Sequence, residues 1–268
     1  MMEVKNRQAG IPAVSGRFMN QFNRGGGFMA GAADNQGLGR LRGDVTVTIQ
    51  TRQAQTLLTG RDATPERKGV MGLMRFSRNL SQITAAAKAD DPWADWYLVQ
   101  VEERLEAAEK TLVAMKADMQ AVLQANPLMD VRVSESVKPL QVTVGFSSPH
   151  AYWIARVITE LDTLVRMILT AQHVALMVTT EAHRRMDAAS VLIRRVFEST
   201  DRYRATGLTR DDVASDLAQV QEAMQKMGAV PEDVLNGSRR AKFAPALPPK
   251  AERELEAVAA VGSAESAS

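Results

Sequence analysis

Residues 44–51 read DVTVTIQT, with Val45, Val47 and Ile49 alternating strictly with Thr46, Thr48 and Gln50. A period of two puts three branched apolar side chains on one face and three hydrogen-bonding ones on the other, the pattern of a half-buried strand. A basic lead-in, GLGRLRG at 37–43, precedes it, and RQAQTLLTG at 52–60 follows as a short helix that Gly60 can stop. A lone strand exposes unpaired N–H and C=O groups, so it needs a partner. Two partners are open: the same strand of a second copy, or the run at 140–146, LQVTVGF, where Leu140, Val142, Val144 and Phe146 alternate with Gln141, Thr143 and Gly145.

The rest of the chain reads as helix. Thr64 and Pro65 suit the cap and first position of a helix over 66–88. Asp91 and Pro92 do the same for the next, in which Leu98, Val101, Leu105, Ala108, Leu112, Met115, Met119 and Val122 recur at alternating spacings of three and four. That heptad seam predicts a helical hairpin or a coiled coil, within the chain or between copies. Asn126-Pro127 ends it. Val131 and Val133 also alternate, so the run to 146 could form a hairpin of its own. Ser148-Pro149 opens a long helix to about Met177 with a broad apolar face, the central core helix; its Arg156–Glu160 and Asp162–Arg166 spacings suit exposed i,i+4 pairs. A helix from 179 to about 199 follows, and Thr209 caps a last one that Gly228 ends.

The chain has 268 residues, no Cys and a formal net charge of +2. The lack of Cys removes disulfides, thiolate catalysis and Cys-ligated zinc, and suits a reducing cytoplasm. His150, His173 and His183 have no compact ligand spacing. Ser147 and Ser148 before Pro149 read as a cap, not a nucleophile. The DRYR run at 201–204 reads first as a structural ion-pair element, with contact to a partner or a phosphate as the alternative. An enzyme, a metal and a cofactor are therefore not expected, nor is a secretory signal or a membrane span. Residues 1–43 hold six basic groups against two acidic ones, and residues 238–268 five against four, which leaves the body mildly acidic. Nucleic-acid binding must rest on local placement rather than bulk charge.

Such placement exists at 44–51. Strand, short helix, turn and longer helix is the order of a ribbon-helix-helix unit, in which two chains each give one strand to a ribbon that enters the DNA major groove. Thr46, Thr48 and Gln50 would then face base edges, with Arg40, Arg42 and Arg52 flanking them for phosphates. The helix start at Thr64-Pro65 could aim amides at a phosphate. The second candidate ribbon, 140–146, would present Gln141 and Thr143.

The phrases GDVTVTIQTRQAQTLLTGR, ADDPWADWYLVQVEERL, FSSPHAYW and FESTDRYRATGLTRDDV resemble a bacterial family carried by integrating conjugative elements, related to the AcaB-like regulators of conjugative plasmids. The resemblance covers roughly residues 40–215. It implies a cytoplasmic, cofactor-free, dimeric ribbon-helix-helix regulator of conjugative-transfer genes that binds double-stranded DNA.

The expected fold is mainly α with a minor β component, a ribbon-helix-helix-like strand plus a helical bundle or coiled-coil hairpin. Residues 1–38 are expected to be a disordered basic arm, 39–237 a single domain and 238–268 a disordered tail. The expected function is transcriptional regulation through a homodimeric β-ribbon. The alternative is a structural or adaptor protein of the conjugation machinery that docks through the heptad seam.

Overall fold

Thr51 is where the strand turns into helix. Its backbone is extended and its hydroxyl accepts a hydrogen bond from the Ala54 amide at 3.3 Å, an N-cap that starts the first helix. The computed structural model describes residues 45–125, 130–145, 148–215 and 218–247. The strand is β1, Val45–Ile49, and the helix is α1, Arg52–Thr59. Then come α2 (Leu73–Lys88), α3 (Pro92–Gln124), β2 (Leu140–Val144), α4 (Pro149–His173) and α5 (Thr179–Glu198). Three short helices finish the order: α6 (Arg210–Ala214), α7 (Ala218–Met227) and α8 (Glu232–Leu235). The fold is mainly helical with a small two-stranded antiparallel sheet, as expected.

The two strands are not rival ribbons. β1 pairs with β2 of the same chain, Val45 opposite Val144, Val47 opposite Val142 and Ile49 opposite Leu140. This corrects the expectation of a ribbon built from one strand of each of two chains: the ribbon is complete within one chain. The apolar sides of both strands then share one face, and Val47, Ile49 and Val144 are buried. The hairpin considered for 131–146 does not form, since residues 131–139 contain no strand.

The helix expected from residue 66 begins instead at Leu73, behind Gly72. Thr64-Pro65-Glu66-Arg67 is a tight turn closed by Thr64 N–H to Arg67 C=O at 2.8 Å and the reverse bond at 3.1 Å. Pro65 satisfies a turn's second position as well as a helix's first, so the local signal was ambiguous. Reciprocal bonds between Arg61 and Val70 bring the arms together, and a Cβ on Gly72 would lie 2.4 Å from the Gly60 nitrogen. That approach requires glycine at 72.

The heptad seam is used inside the chain. Leu98, Val101, Leu105, Ala108, Leu112 and Met119 are buried, and α3 packs on α2, α4 and α5. The seam is neither an intermolecular coiled coil nor an open docking surface. α4 is the central helix expected, with Ile154, Val157, Ile158, Leu161, Leu164, Val165 and Ile168 buried; Leu169, placed on the same face by the sequence, is exposed.

The two i,i+4 pairs read on α4 do not form. Arg156 reaches Glu109 of α3 at 3.0 Å, Glu160 pairs with Lys116 of α3, and Arg166 donates to the Ser134 carbonyl at 2.9 Å. Asp162 is buried and serves the ribbon. Partners on neighbouring elements displaced the local ones, whose pairing contributes little.

Residues 238–247 are ordered, against the expectation of a disordered tail beyond 237. They run along α3: Arg240 makes a two-pronged contact with Asp95, both bonds at 2.9 Å, while Arg239 pairs with Glu103 and Lys242 with Glu106. The Lys242 and Phe243 amides donate to Glu102 at 2.8 and 3.0 Å.

Candidate nucleic-acid interface

The ribbon's register decides what its outer face presents. Thr46 stands opposite Thr143 and Thr48 opposite Gln141, so residues read from two separate segments lie side by side. Thr46, Gln141 and Thr143 are exposed and Thr48 is half-buried. The Thr46 and Thr143 hydroxyls share a hydrogen bond at 3.3 Å across the strands. Every side chain on this face is uncharged and can both donate and accept, which is the chemistry that base edges require.

The ribbon is held to the helical body by one carboxylate. Asp162 Oδ1 accepts from the Thr51 amide at 2.8 Å and the Thr51 hydroxyl at 2.7 Å, and both its oxygens lie 3.1 Å from the Gln50 amide. This fixes the junction where β1 becomes α1 against α4. Three donors on a buried carboxylate satisfy it without any cation. A spacing rule could not find it, because Asp162 lies more than a hundred residues from its partners.

The other expected site residues fall in three groups. Gln50 is half-buried, and its Oε1 accepts from the Ser136 amide at 2.8 Å, so its side chain braces the segment leading into β2. Arg52 is exposed at the start of α1 and forms no ion pair among the described residues. Arg40 and Arg42 lie outside the described residues. The amide-bearing helix start at Thr64-Pro65 does not exist, since that segment is a turn. One residue was missed: Lys138, exposed two positions before β2 and without an ion pair among the described residues, flanks the ribbon from the β2 side. Its signal was a basic residue just before an alternating run, the counterpart of Arg42 before the first.

No group of three or more His, Cys, Asp or Glu among the described residues could hold a metal ion. No described helix is long and apolar enough to cross a membrane.

Residues 37–248 match the family described as transcriptional regulator AcaB. The matched span begins seven residues before Asp44 and closes at the end of the ordered C-terminal segment. A solved structure, the crystal structure of selenomethionine-containing AcaB from uropathogenic E. coli, is similar with a TM-score of 0.53 and 13% identity, over 76% of this chain and 100% of that one. At that identity the likeness concerns the fold alone. No curated protein matches the chain.

Proposed function

The chain belongs to the AcaB family of transcriptional regulators, and on that premise we propose that it binds double-stranded DNA sequence-specifically and controls conjugative-transfer genes of a mobile element. The observation that carries this reading is the convergence of Thr46, Thr48, Gln141 and Thr143 on the outer face of an antiparallel ribbon whose inner face is packed on helices. A two-stranded ribbon fits the major groove, where Gln can pair with adenine and Thr can bond a base edge or touch a thymine methyl. Arg52 and Lys138 supply phosphate contacts from the two strands' flanks, joined by Arg40 and Arg42. Such contacts set register and salt dependence, while the uncharged face sets sequence preference. The similarity of residues 40–215 to proteins carried by integrating conjugative elements supports the choice of target genes.

The protein acts as a cytoplasmic homodimer, without cofactor and without catalysing a reaction. Each strand keeps one edge with no strand partner among the described residues, and Val45 and Leu140 are exposed on the ribbon's apolar side. Free edges and uncovered apolar ends suit pairing with a second copy. The adaptor alternative is disfavoured, because the heptad seam it would use is consumed by α2, α4 and α5.

The test is binding of the full-length protein to promoter fragments of neighbouring genes, with excess random DNA and a salt series. Competitor-resistant binding is expected. In the double variant Thr48→Ala/Gln141→Ala, loss of base contacts worth about 1–3 kcal/mol each should abolish most of the preference for the specific fragment. Affinity for random DNA should not change. Full operator affinity in that variant would remove the ribbon face from recognition. Weak binding that vanishes with salt on every fragment would sink the regulator reading itself.

A further inference from the structure

The DRYR run at 201–204 divides its side chains among different tasks. Tyr203 turns inward and donates to Asp91 at 2.9 Å, Asp201 pairs with Arg75 at 3.4 Å, and Arg204 donates to the Asp201 and Tyr203 carbonyls at 2.7 Å. Arg202 makes no such internal bond among the described residues. It lines a cleft of about 520 Å³ together with Arg104 of α3 and Arg195 of α5. All three arginines are exposed, and none forms an ion pair among the described residues. Arg104 bonds only its own helix neighbour Gln100, through the carbonyl and Oε1, both at 3.2 Å. Glu198 is the one acidic residue in the lining.

Several other arginines of the molecule are ion-paired, whereas among the described residues Arg52 and the three of this cleft are not. Arg156, Arg166, Arg184, Arg185, Arg210, Arg239 and Arg240 each find a carboxylate. Three guanidinium groups from three separate segments around one concavity repel one another unless an anion joins them. The same field is felt by Tyr97 in the cleft wall: burial raises its hydroxyl above the ordinary tyrosine range, and the charges of Arg202, Arg204 and Arg104 oppose that rise. Guanidinium groups bind phosphate oxygens two at a time, and unpaired ones hold that capacity free. The cleft volume falls within the range of small-molecule sites and far exceeds a single phosphate ion. Trp96 and Met227 contribute a smaller apolar wall.

We propose that this cleft binds a nucleoside polyphosphate, with Arg104, Arg195 and Arg202 on the phosphates and the Trp96–Met227 wall beside the nucleoside. The three arginines line one cleft of bounded volume, which favours a small ligand over the duplex backbone. The site lies on α3, α5 and the turn after α5, not on the ribbon, so it stands independently of the recognition face.

The experiment is calorimetric titration of the full-length protein with ATP, inorganic phosphate and adenosine, repeated with Arg195→Ala/Arg202→Ala and with Glu198→Gln. The expected result is saturable ATP binding, weaker binding of phosphate and none of adenosine. The double alanine variant should lose about tenfold or more in affinity. Removing the lone negative charge in Glu198→Gln should tighten ATP binding, a change in the opposite direction that loss of folding cannot imitate. No saturable ATP binding to the unaltered protein, or equal binding by the double variant, would overturn the proposal. So would a double variant that shows a shallower salt dependence for random DNA while the unaltered protein ignores ATP; that result would assign the arginines to the DNA backbone.

Discussion

Asp162 and Asp95 are both buried carboxylates on core helices, and each holds a peripheral piece of chain, but their partners differ in kind. Asp162 holds the ribbon through two backbone amides and a hydroxyl, all within two adjacent residues. Asp95 holds the C-terminal segment and α6 through two guanidinium groups, Arg240 and Arg210, the latter at 2.5 Å and also paired with Asp90. The first anchor positions a surface that faces outward. The second cross-links segments far apart in sequence around the start of α3. Neutral donors on a buried carboxylate fix a junction, whereas paired charges make a joint that is costly to half-remove. The ribbon therefore has its chemistry outside and a light attachment, and the C-terminal clasp has its chemistry inside.

The largest effect should come from Asp95→Asn. It strands Arg240 and leaves Arg210 with Asp90 as its one carboxylate partner, and the two side chains are only 19% and 12% exposed. Breaking such a pair costs about 3–5 kcal/mol, so denaturant unfolding should show a large fall in midpoint. A fall under about 1 kcal/mol would mean that the clasp contributes little and the comparison fails. Asp162→Ala comes next. It removes the acceptor of three donors, of which the Thr51 amide is a buried one that cannot turn elsewhere, and leaving it unsatisfied costs about 1–3 kcal/mol. It should also weaken binding to operator DNA more than the stability loss explains, because the ribbon loses its fixed junction. Operator affinity that tracks the folded fraction alone would show that the anchor serves the fold only.

Acid should loosen the clasp. Burial raises the Glu102 carboxyl, but hydrogen bonds from His150 and from the Lys242 and Phe243 amides outweigh it and hold the group below the usual carboxylate range. A depressed folded value means that the contribution is fully present above the unfolded value near 4.5 and is lost as pH falls through the lower folded one. Fluorescence of Trp153, in partly buried contact with Phe243 at 6.1 Å, should follow that loss. Glu102→Gln should flatten the acid limb, and an unchanged limb would exclude Glu102 as its source. The smallest effect is expected from Arg239→Ala. Its pairs with Glu103 and Asp233 are solvent-exposed, and its guanidinium lies over Trp96 at 5.6 Å. About 1 kcal/mol or less should be lost; a cost near that of Asp95→Asn would mean that the rim, not the buried pair, closes the clasp.

Much of the helical frame was legible because its signals are local. Asp91-Pro92 caps α3 as read, Thr209 is a cap as read but of α6, which ends at Ala214 rather than Gly228, and the seam of α3 is buried along nearly its whole length. The strands at 45–49 and 140–144 were legible from alternation. The candidate site was half legible: Thr46, Thr48, Gln141 and Thr143 were named, but as members of two competing ribbons. The Thr64-Pro65 error arose where one dipeptide fits two geometries and only the Gly60–Gly72 approach chooses between them. The packing of residues 238–247 was missed because RRAKFAPALP has no period; the segment is held by Asp95 and Glu102 of α3, whose burial no spacing rule foretells.

By itself the sequence determined which segments are helix or strand and which side of each is apolar, because those preferences act over a few residues through backbone sterics and side-chain period. Tertiary structure alone decided that the two strands meet each other and that Asp162 points inward to hold them. It also decided that Arg104, Arg195 and Arg202 surround one cleft and that the tail is strapped to α3. Most of these arrangements join residues tens to more than a hundred positions apart. Their energies exist only after the core has brought the partners within hydrogen-bonding distance, so no pattern along the chain encodes them.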